Sequence, residues 1–336
     1  MQTLKNLRYT FYHDGPVLSA CADNIVMETY FSLTATTLYY WYRDSALTDH
    51  PYEADFISVQ YSSPHKVKFR KLVVINNYAI VGDSSGKIQI FQPRELKQKM
   101  ELLLVQQIMS HSSDVLDMKM SNNQLYVLHA NLMSVFRDFY YQMNARVTQP
   151  KHIKLQLKAH LLSAILDQNV VLLFVADSNK IKIYMDQCED EVTLTHLGYL
   201  SEDIQRPDVA TMDTTAVSAK NSIVLTGNKT GNITIWTFHL VLSADSVKLQ
   251  FKQVMSTWQN GIRVSCVQLS PFYLLSFSFD EDGCCVVMDM KYNKVVNKFI
   301  PHAKLVTSAQ LYQEQGLLLT GSLDYTVKLW NVWVKE

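Results

Sequence analysis

The residues able to do chemistry in this 336-residue chain are numerous but scattered. Its ten histidines form no His-Glu-x-x-His helix pair, no His-x-His, and no Cys/His group with metal-ligand spacing. The five cysteines, Cys21, Cys188, Cys266, Cys284 and Cys285, are odd in number and fit no Cys-x-x-Cys pair. That speaks against a disulfide framework and for a reducing compartment. Cys284 and Cys285 are neighbours in an alternating stretch, so a strand would point them to opposite faces. No Gly-x-Ser-x-Gly elbow occurs. "GDSSGK" at 82–87 has the composition of a phosphate-cradling loop but not its spacing, and reads as a turn. Serine, histidine and aspartate distant in sequence could still meet in the fold. As they stand they define neither a catalytic centre nor a metal or cofactor site.

Bulk properties narrow the class further. Apolar residues make up 48% of the chain, ample for a core, and the length exceeds that of an ordinary single core. Formal net charge is zero, so a nucleic-acid partner would need a local basic patch. The opening "MQTLKNLRYTFYHDG" lacks the apolar centre of an export signal. The longest apolar run, "VVLLFVA" at 170–176, is too short to span a bilayer, so no membrane insertion is expected. The sequons at Asn228 and Asn232 then read as turn residues. The expected location is cytoplasm, nucleus or both.

The elements that must position these residues repeat. "LTGNKTGNITIW" at 225–236 matches "LTGSLDYTVKLW" at 319–330, and "IVGDSSGKIQIF" at 80–91 has the same form. "FVADSNKIKIY" at 174–184, "SFSFDEDGCCVVM" at 276–288, "VLHANLMSVF" at 127–136 and "SLTATTLYYW" at 32–41 are further copies. Each reads as a strand ending in small residues, a tight polar turn, and a second alternating strand ending on a large residue. Those end positions are Trp41, Phe91, Phe136, Tyr184, Trp236, Met288 and Trp330, which gives seven units each long enough for four strands. "VLDMKM" at 115–120, "SCVQLS" at 265–270 and "TSAQLY" at 307–312 are predicted innermost strands, and "ELLLVQQI" within 94–108 an outer one.

The chain thus resembles the WD-repeat family of β-propellers over essentially its whole length, best in "HAKLVTSAQLY…GLLLTGSLDYTVKLWN" at 302–331. The resemblance implies an all-β, seven-bladed propeller formed by residues 1–336 as one domain. It also implies a buried, structural hydrogen-bond set of His302, Thr320 (or Ser322), Asp324 and Trp330. There are departures. No Trp-Asp dipeptide occurs, glycine is sparse, and the turn aspartate six residues before the strand end exists only as Asp282 and Asp324. The other copies carry Ala35, Ser85, Ala130, Ser178 and Thr230 there. The last unit also lacks a fourth strand after Trp330. "NLRYTFYHD" at 6–14 is the candidate to supply it, with residues 5–12 pairing onto the blade at about 303–333.

The function implied by the resemblance is a non-catalytic scaffold or adaptor within a multiprotein complex. The candidate contact is "VFRDFYYQMNARVTQPK" at 135–151, where Arg137, Tyr140, Tyr141 and Arg146 combine the residue types that dominate binding hot spots. The plainer reading of that stretch is an outer strand packed on its neighbour. The basic run "SSPHKVKFRK" at 62–71 (His65, Lys66, Lys68, Arg70, Lys71) reads as a solvated strand face, since the Phe-Arg-Arg-Gly run of phosphoinositide-binding propellers is absent. The loops 42–56 and 198–211 read as connectors. The alternatives are a substrate-recognition subunit of a ubiquitin ligase, for which "WYRD" and "VFRD" are poor docking signals, and an enzyme or accessory subunit of an RNA-modifying enzyme. A central cluster of acids and histidines would favour an enzyme.

Overall fold

The computed structural model describes residues 6–22, 28–43, 56–64, 66–96, 99–143, 149–155, 158–167, 169–177, 180–189, 191–200, 209–218, 221–243, 246–258, 262–270, 274–312 and 315–332. They form seven four-stranded antiparallel sheets. Blade 1 holds β2 (Ser19–Ala22), β3 (Tyr30–Leu33), β4 (Thr37–Arg43) and β5 (Phe56–Ser62). Blade 2 holds β6 (Phe69–Ile75), β7 (Tyr78–Asp83), β8 (Lys87–Leu96) and β9 (Lys99–Met109). Blade 3 holds β10 (Asp117–Ser121), β11 (Gln124–Leu128), β12 (Leu132–Phe136) and β13 (Lys151–Lys154). Blade 4 holds β14 (Leu161–Asp167), β15 (Val170–Ala176), β16 (Ile181–Asp186) and β17 (Leu194–Tyr199). Blade 5 holds β18 (Val209–Ser218), β19 (Asn221–Asn228), β20 (Asn232–Ser243) and β21 (Ser246–Trp258). Blade 6 holds β22 (Val264–Ser270), β23 (Leu275–Asp280), β24 (Cys285–Asp289) and β25 (Lys294–Phe299).

Blade 7 is built from both ends of the described chain. Its inner strands are β26 (Val306–Tyr312), β27 (Leu317–Ser322) and β28 (Thr326–Asn331), and its outermost is β1 (Asn6–Tyr12). β1 runs antiparallel to β28 with Tyr12 opposite Thr326 and Asn6 opposite Asn331. The seven first strands touch one another in sequence, and β26 meets β2, so the ring is a closed seven-bladed propeller. Closure removes the gap at which an unpaired inner edge would face water.

The alternation of the third strands explains the packing. In β28, Val327 and Leu329 face blade 1 and join Phe11, Trp41 and Leu319 in one cluster, while Trp330 faces blade 6 and joins Phe277 and Phe279. The small residue near the end of each second strand has a steric cause. A Cβ on Gly82, Gly227 or Gly321 would lie 2.6 Å from Val115, 2.5 Å from Val264 or 2.9 Å from Val17, each leading into the next blade. Only glycine lets adjacent blades approach this closely. Hereafter, the upper face is the one carrying the turns between second and third strands, and the lower face the opposite one.

Candidate functional site

The upper edge of blade 7 holds a connected polar set. His302 Nε2 lies 2.7 Å from Thr320 Oγ1, Trp330 Nε1 donates to the same oxygen at 3.0 Å, and His302 Nδ1 lies 3.0 Å from Asp324 Oδ2. A neutral imidazole protonated on Nδ1 satisfies every contact: it donates to Asp324 and accepts from Thr320. Burial lowers the His302 pKa by more than Asp324 raises it. Burial pushes the Asp324 carboxyl up, but hydrogen bonds from His302 and Thr326 outweigh this and hold it well below the usual carboxylate range. Ser322, the alternative to Thr320, instead donates to Lys304 O at 3.1 Å and accepts from the Asp324 N–H at 3.1 Å.

Blade 1 carries a partial copy that sequence reading overlooked. Trp41 Nε1 donates to Ser32 Oγ at 2.8 Å, and Ser32 Oγ lies 2.6 Å from His13 Nε2. Here Asp14 accepts from Tyr39 Oη at 2.6 Å instead of meeting the histidine. Among the described residues His13 Nδ1 has no partner, and burial pulls the His13 pKa down to about 4. The signal was available: His13 and Trp41 have the same separation as His302 and Trp330.

At the position expected for the turn aspartate, Asp324 accepts the Thr326 N–H at 3.1 Å in blade 7, but a second set of turn acceptors lies two residues earlier. The groups that cap the upper hairpins end the second strand, seven or eight residues before the large terminal residue. Thr34, Asp83, Asp177, Asn228, Asp280 and Ser322 each accept a backbone N–H from the turn, at 3.0, 2.8, 2.6, 3.0, 3.1 and 3.1 Å. Short oxygen-bearing side chains do this by closing a local ring that mimics a backbone turn. Asn228 of the sequon pair is thus a turn residue, and "GDSSGK" is the turn capped by Asp83. In blade 3, His129 occupies the position.

Of the proposed partner-contact residues, Arg137 is turned inward. Its two terminal nitrogens donate to both oxygens of Asp186 at 2.7 and 2.6 Å, and Tyr126 Oη donates to Asp186 at 2.7 Å. The ion pair staples blade 3 to blade 4. Residues Phe139–Gln142 form a helical turn, α1, instead of the outer strand offered as the plainer reading. Phe139 is fully buried in α1, Tyr140 packs partly against the core, and Tyr141 is 67% exposed on the lower face. Outer strand β13 begins only at Lys151. Arg146 lies outside the described residues, as do His65 and most of both polar connectors. The remaining basic cluster disperses: Arg70 pairs with Asp114 at 2.8 Å, while Lys71 turns into the central channel beside Asp117 at 3.4 Å.

The channel, about 480 Å³, is lined by the first strands. Its carboxylates hold neighbouring blades together. Asp117 accepts the Leu162 N–H of blade 4 at 2.9 Å, and Asp213 accepts the Leu269 N–H of blade 6 at 2.8 Å. Ser308 does likewise for Ala20 of blade 1 at 3.0 Å. Among the described residues that line it are the carboxylates Asp117 and Asp213 and the amine of Lys71, and no histidine. Burial pushes the Cys21 and Cys266 thiols up to about 11 and about 12, away from the reactive thiolate. All five cysteines are unpaired.

Exposed apolar side chains are unevenly spread. Fourteen large ones are exposed among the described residues, and seven lie on blades 6 and 7: Leu7, Tyr12, Tyr292, Val295, Val296, Ile300 and Tyr325. Four more, Leu96, Leu104, Val105 and Met109, lie on the rim of blade 2.

Comparison with known proteins agrees with this geometry. The model of the WD domain, G-beta repeat, matches residues 293–331, which covers β25 and the three inner strands of blade 7. A chain in the crystal structure of the mitotic checkpoint complex superposes with a TM-score of 0.70 at 12% identity, covering 99% of this chain and 96% of that one. The computationally designed Ika8 protein superposes with a TM-score of 0.60 at 15% identity, covering 95% and 97%. The fold is therefore that of a β-propeller, and the WD-repeat pattern is matched over blade 7 and the outer strand before it. A probable inactive protein kinase of Dictyostelium discoideum is 26% identical over 117 residues, which are 33% of this chain and only 8% of that protein. Among the described residues no helix is long and apolar enough to cross a membrane.

Proposed function

We propose that this protein is a non-catalytic interaction scaffold, a subunit of a larger protein assembly whose 336 residues act as one propeller domain. The observation that carries this reading is the use to which its polar groups are put. His302, Asp324, Arg137, Asp186, Asp117 and Asp213 all hold strands or blades together, while aromatic and aliphatic side chains stand exposed on particular blades. A rigid disc with apolar anchors on its surface is suited to holding other proteins. The likeness to a chain of the checkpoint complex supports the general role. Five unpaired thiols suit the reducing cytoplasm or nucleus.

Tyr140 and Tyr141 on the lower face are one proposed contact; Arg137 supports them from within. The test is affinity purification of the tagged protein from its own cells with mass spectrometry, beside a Tyr140→Ala/Tyr141→Ala variant of unchanged melting temperature. Stoichiometric partners bound by the wild type are expected, and their loss in the variant would locate the face. A protein recovered alone at low and high salt would overturn the scaffold reading.

A further inference from the structure

The outer edge of blade 6 combines three properties. It is basic: residues 289–304 carry Lys291, Lys294, Lys298 and Lys304 against the single acid Asp289, in a chain of zero net charge. Asp289 is spent in its own turn, accepting the Lys291 and Tyr292 N–H groups at 2.8 and 3.1 Å. The edge is also apolar: Val295 is 47% exposed and Ile300 73%. Finally, it is an open edge, because β25 is the outermost strand of its sheet.

We infer that this edge receives an extended segment of a partner protein in which Asp or Glu alternates with apolar residues. The inference rests on the scaffold reading and names one of its contacts. A strand added to β25 would meet its free backbone groups, seat apolar side chains on Val295 and Ile300, and place carboxylates beside the lysines. A six-residue strand spans roughly 20 Å, and the basic groups sit at both ends of it: Lys291 and Lys294 towards the lower face, Lys298 and Lys304 towards the upper. A flat membrane touching one face of the disc would engage only one end.

Lysines and a bulge also protect an edge against self-pairing, and β25 has a bulge where Val287 pairs with Asn297 and Met288 with Val295. Protection alone would replace exposed valine and isoleucine with polar residues, whereas this edge keeps them.

The test titrates the intact protein into a fluorescent eight-residue peptide alternating Glu with Leu and Val, and into its Lys-for-Glu counterpart. The acidic peptide is expected to bind, to weaken as salt rises from about 50 to 300 mM, and to lose about tenfold or more affinity in Lys294→Glu/Lys298→Glu. Lys151→Glu/Lys154→Glu on β13 is expected to bind like wild type. Equal binding of both peptides, unchanged affinity in the reversed variant, or association with phosphatidylserine vesicles but not the acidic peptide would overturn the inference. Affinity purification with the same variant separates the two readings. Partners retained by wild type and variant alike leave the scaffold standing without this contact, and a wild-type protein recovered alone removes the scaffold.

Discussion

Blades 7 and 3 place a histidine at the same point, just before the first strand, and use it differently. In blade 7 His302 joins Asp324 to Thr320 and Trp330, tying the turn, second strand and third strand into one unit. In blade 3 the third strand ends in Phe136, which has no N–H to offer. His111 instead meets Ser113 at 2.8 Å and packs against two other imidazoles, His129 at 5.1 Å and His152 at 5.7 Å between ring centroids. The full set and its partial copy in blade 1 flank the strand pair β1–β28, the one blade assembled from distant parts of the chain. Blade 3 is continuous in sequence and held to blade 4 by Arg137 and Asp186. Polar locks accompany the joint that chain connectivity does not hold.

The strongest way to break this comparison is to remove the joint. Deleting residues 1–12 exposes β28 and uncovers the Phe11 cluster, and is expected to cost on the order of 5 kcal/mol or more, most of a typical domain's stability. Circular dichroism should show the whole ring melting early, and a truncated protein melting within a few degrees of wild type would sink the idea of a closure lock. Next in size is Arg137→Ala. It strands the buried Asp186 charge and is expected to cost about 3–5 kcal/mol in urea unfolding. Arg137→Met with Asp186→Leu and Tyr126→Phe, which also removes the hydroxyl that donates to Asp186, should recover most of the loss; failure to do so would show that the pair does more than hold blades.

The sequence period revealed the ring because alternation and turn residues are local. All seven predicted strand ends fall in third strands, from Trp41 in β4 to Trp330 in β28. The pairing of residues 6–12 with the last blade was legible because the last repeat unit supplies only three strands, β26 to β28. Asn228 and the stretch at 82–87 were legible as turns, but the capping role of Asp83, Asn228 and Asp280 was not, because capping needs only a short oxygen-bearing side chain where the strand ends and no fixed residue type. Arg137 was misread because its partner, Asp186, is 49 residues away and in another blade. The helical turn at 139–142 hides within a repeat that otherwise alternates with a period of two. The edge of blade 6 was invisible because exposure of Val295 and Ile300 is a property of the assembled rim.

Acid sharpens the comparison. His13, His129 and His302 all have pKa values lowered by burial, His13 to about 4. The unfolded chain takes up protons near pH 6.5 that the folded ring refuses, so stability is held above that pH and lost as pH falls towards 4. For His13 alone the loss is about 3 kcal/mol once the pH is below its folded value. Asp280, raised by burial, opposes this in part. Urea midpoints measured from pH 7.5 to 4.5 should fall steadily, and His13→Phe should flatten the slope. A slope unchanged by that substitution would place the proton uptake at His129 and His302 instead.

The smallest expected effect tests whether the two locks are equal. Trp330→Phe keeps the ring's apolar contact with Phe299 but removes the indole donor to Thr320, leaving a chain that still ends on Asp324. Trp41→Phe removes the donor to Ser32, whose chain ends at an unpartnered His13 Nδ1. Each loss should lie near the 1–2 kcal/mol of a buried hydrogen bond left unmade. The blade 7 value should be the larger, because polarisation along Trp330, Thr320, His302 and Asp324 strengthens every member. A double-mutant cycle of Trp330→Phe with Thr320→Val should therefore show a larger coupling than Trp41→Phe with Ser32→Ala. Equal couplings would mean that Asp324 contributes nothing to the indole end of the chain, and that what distinguishes blade 7 is its turn alone.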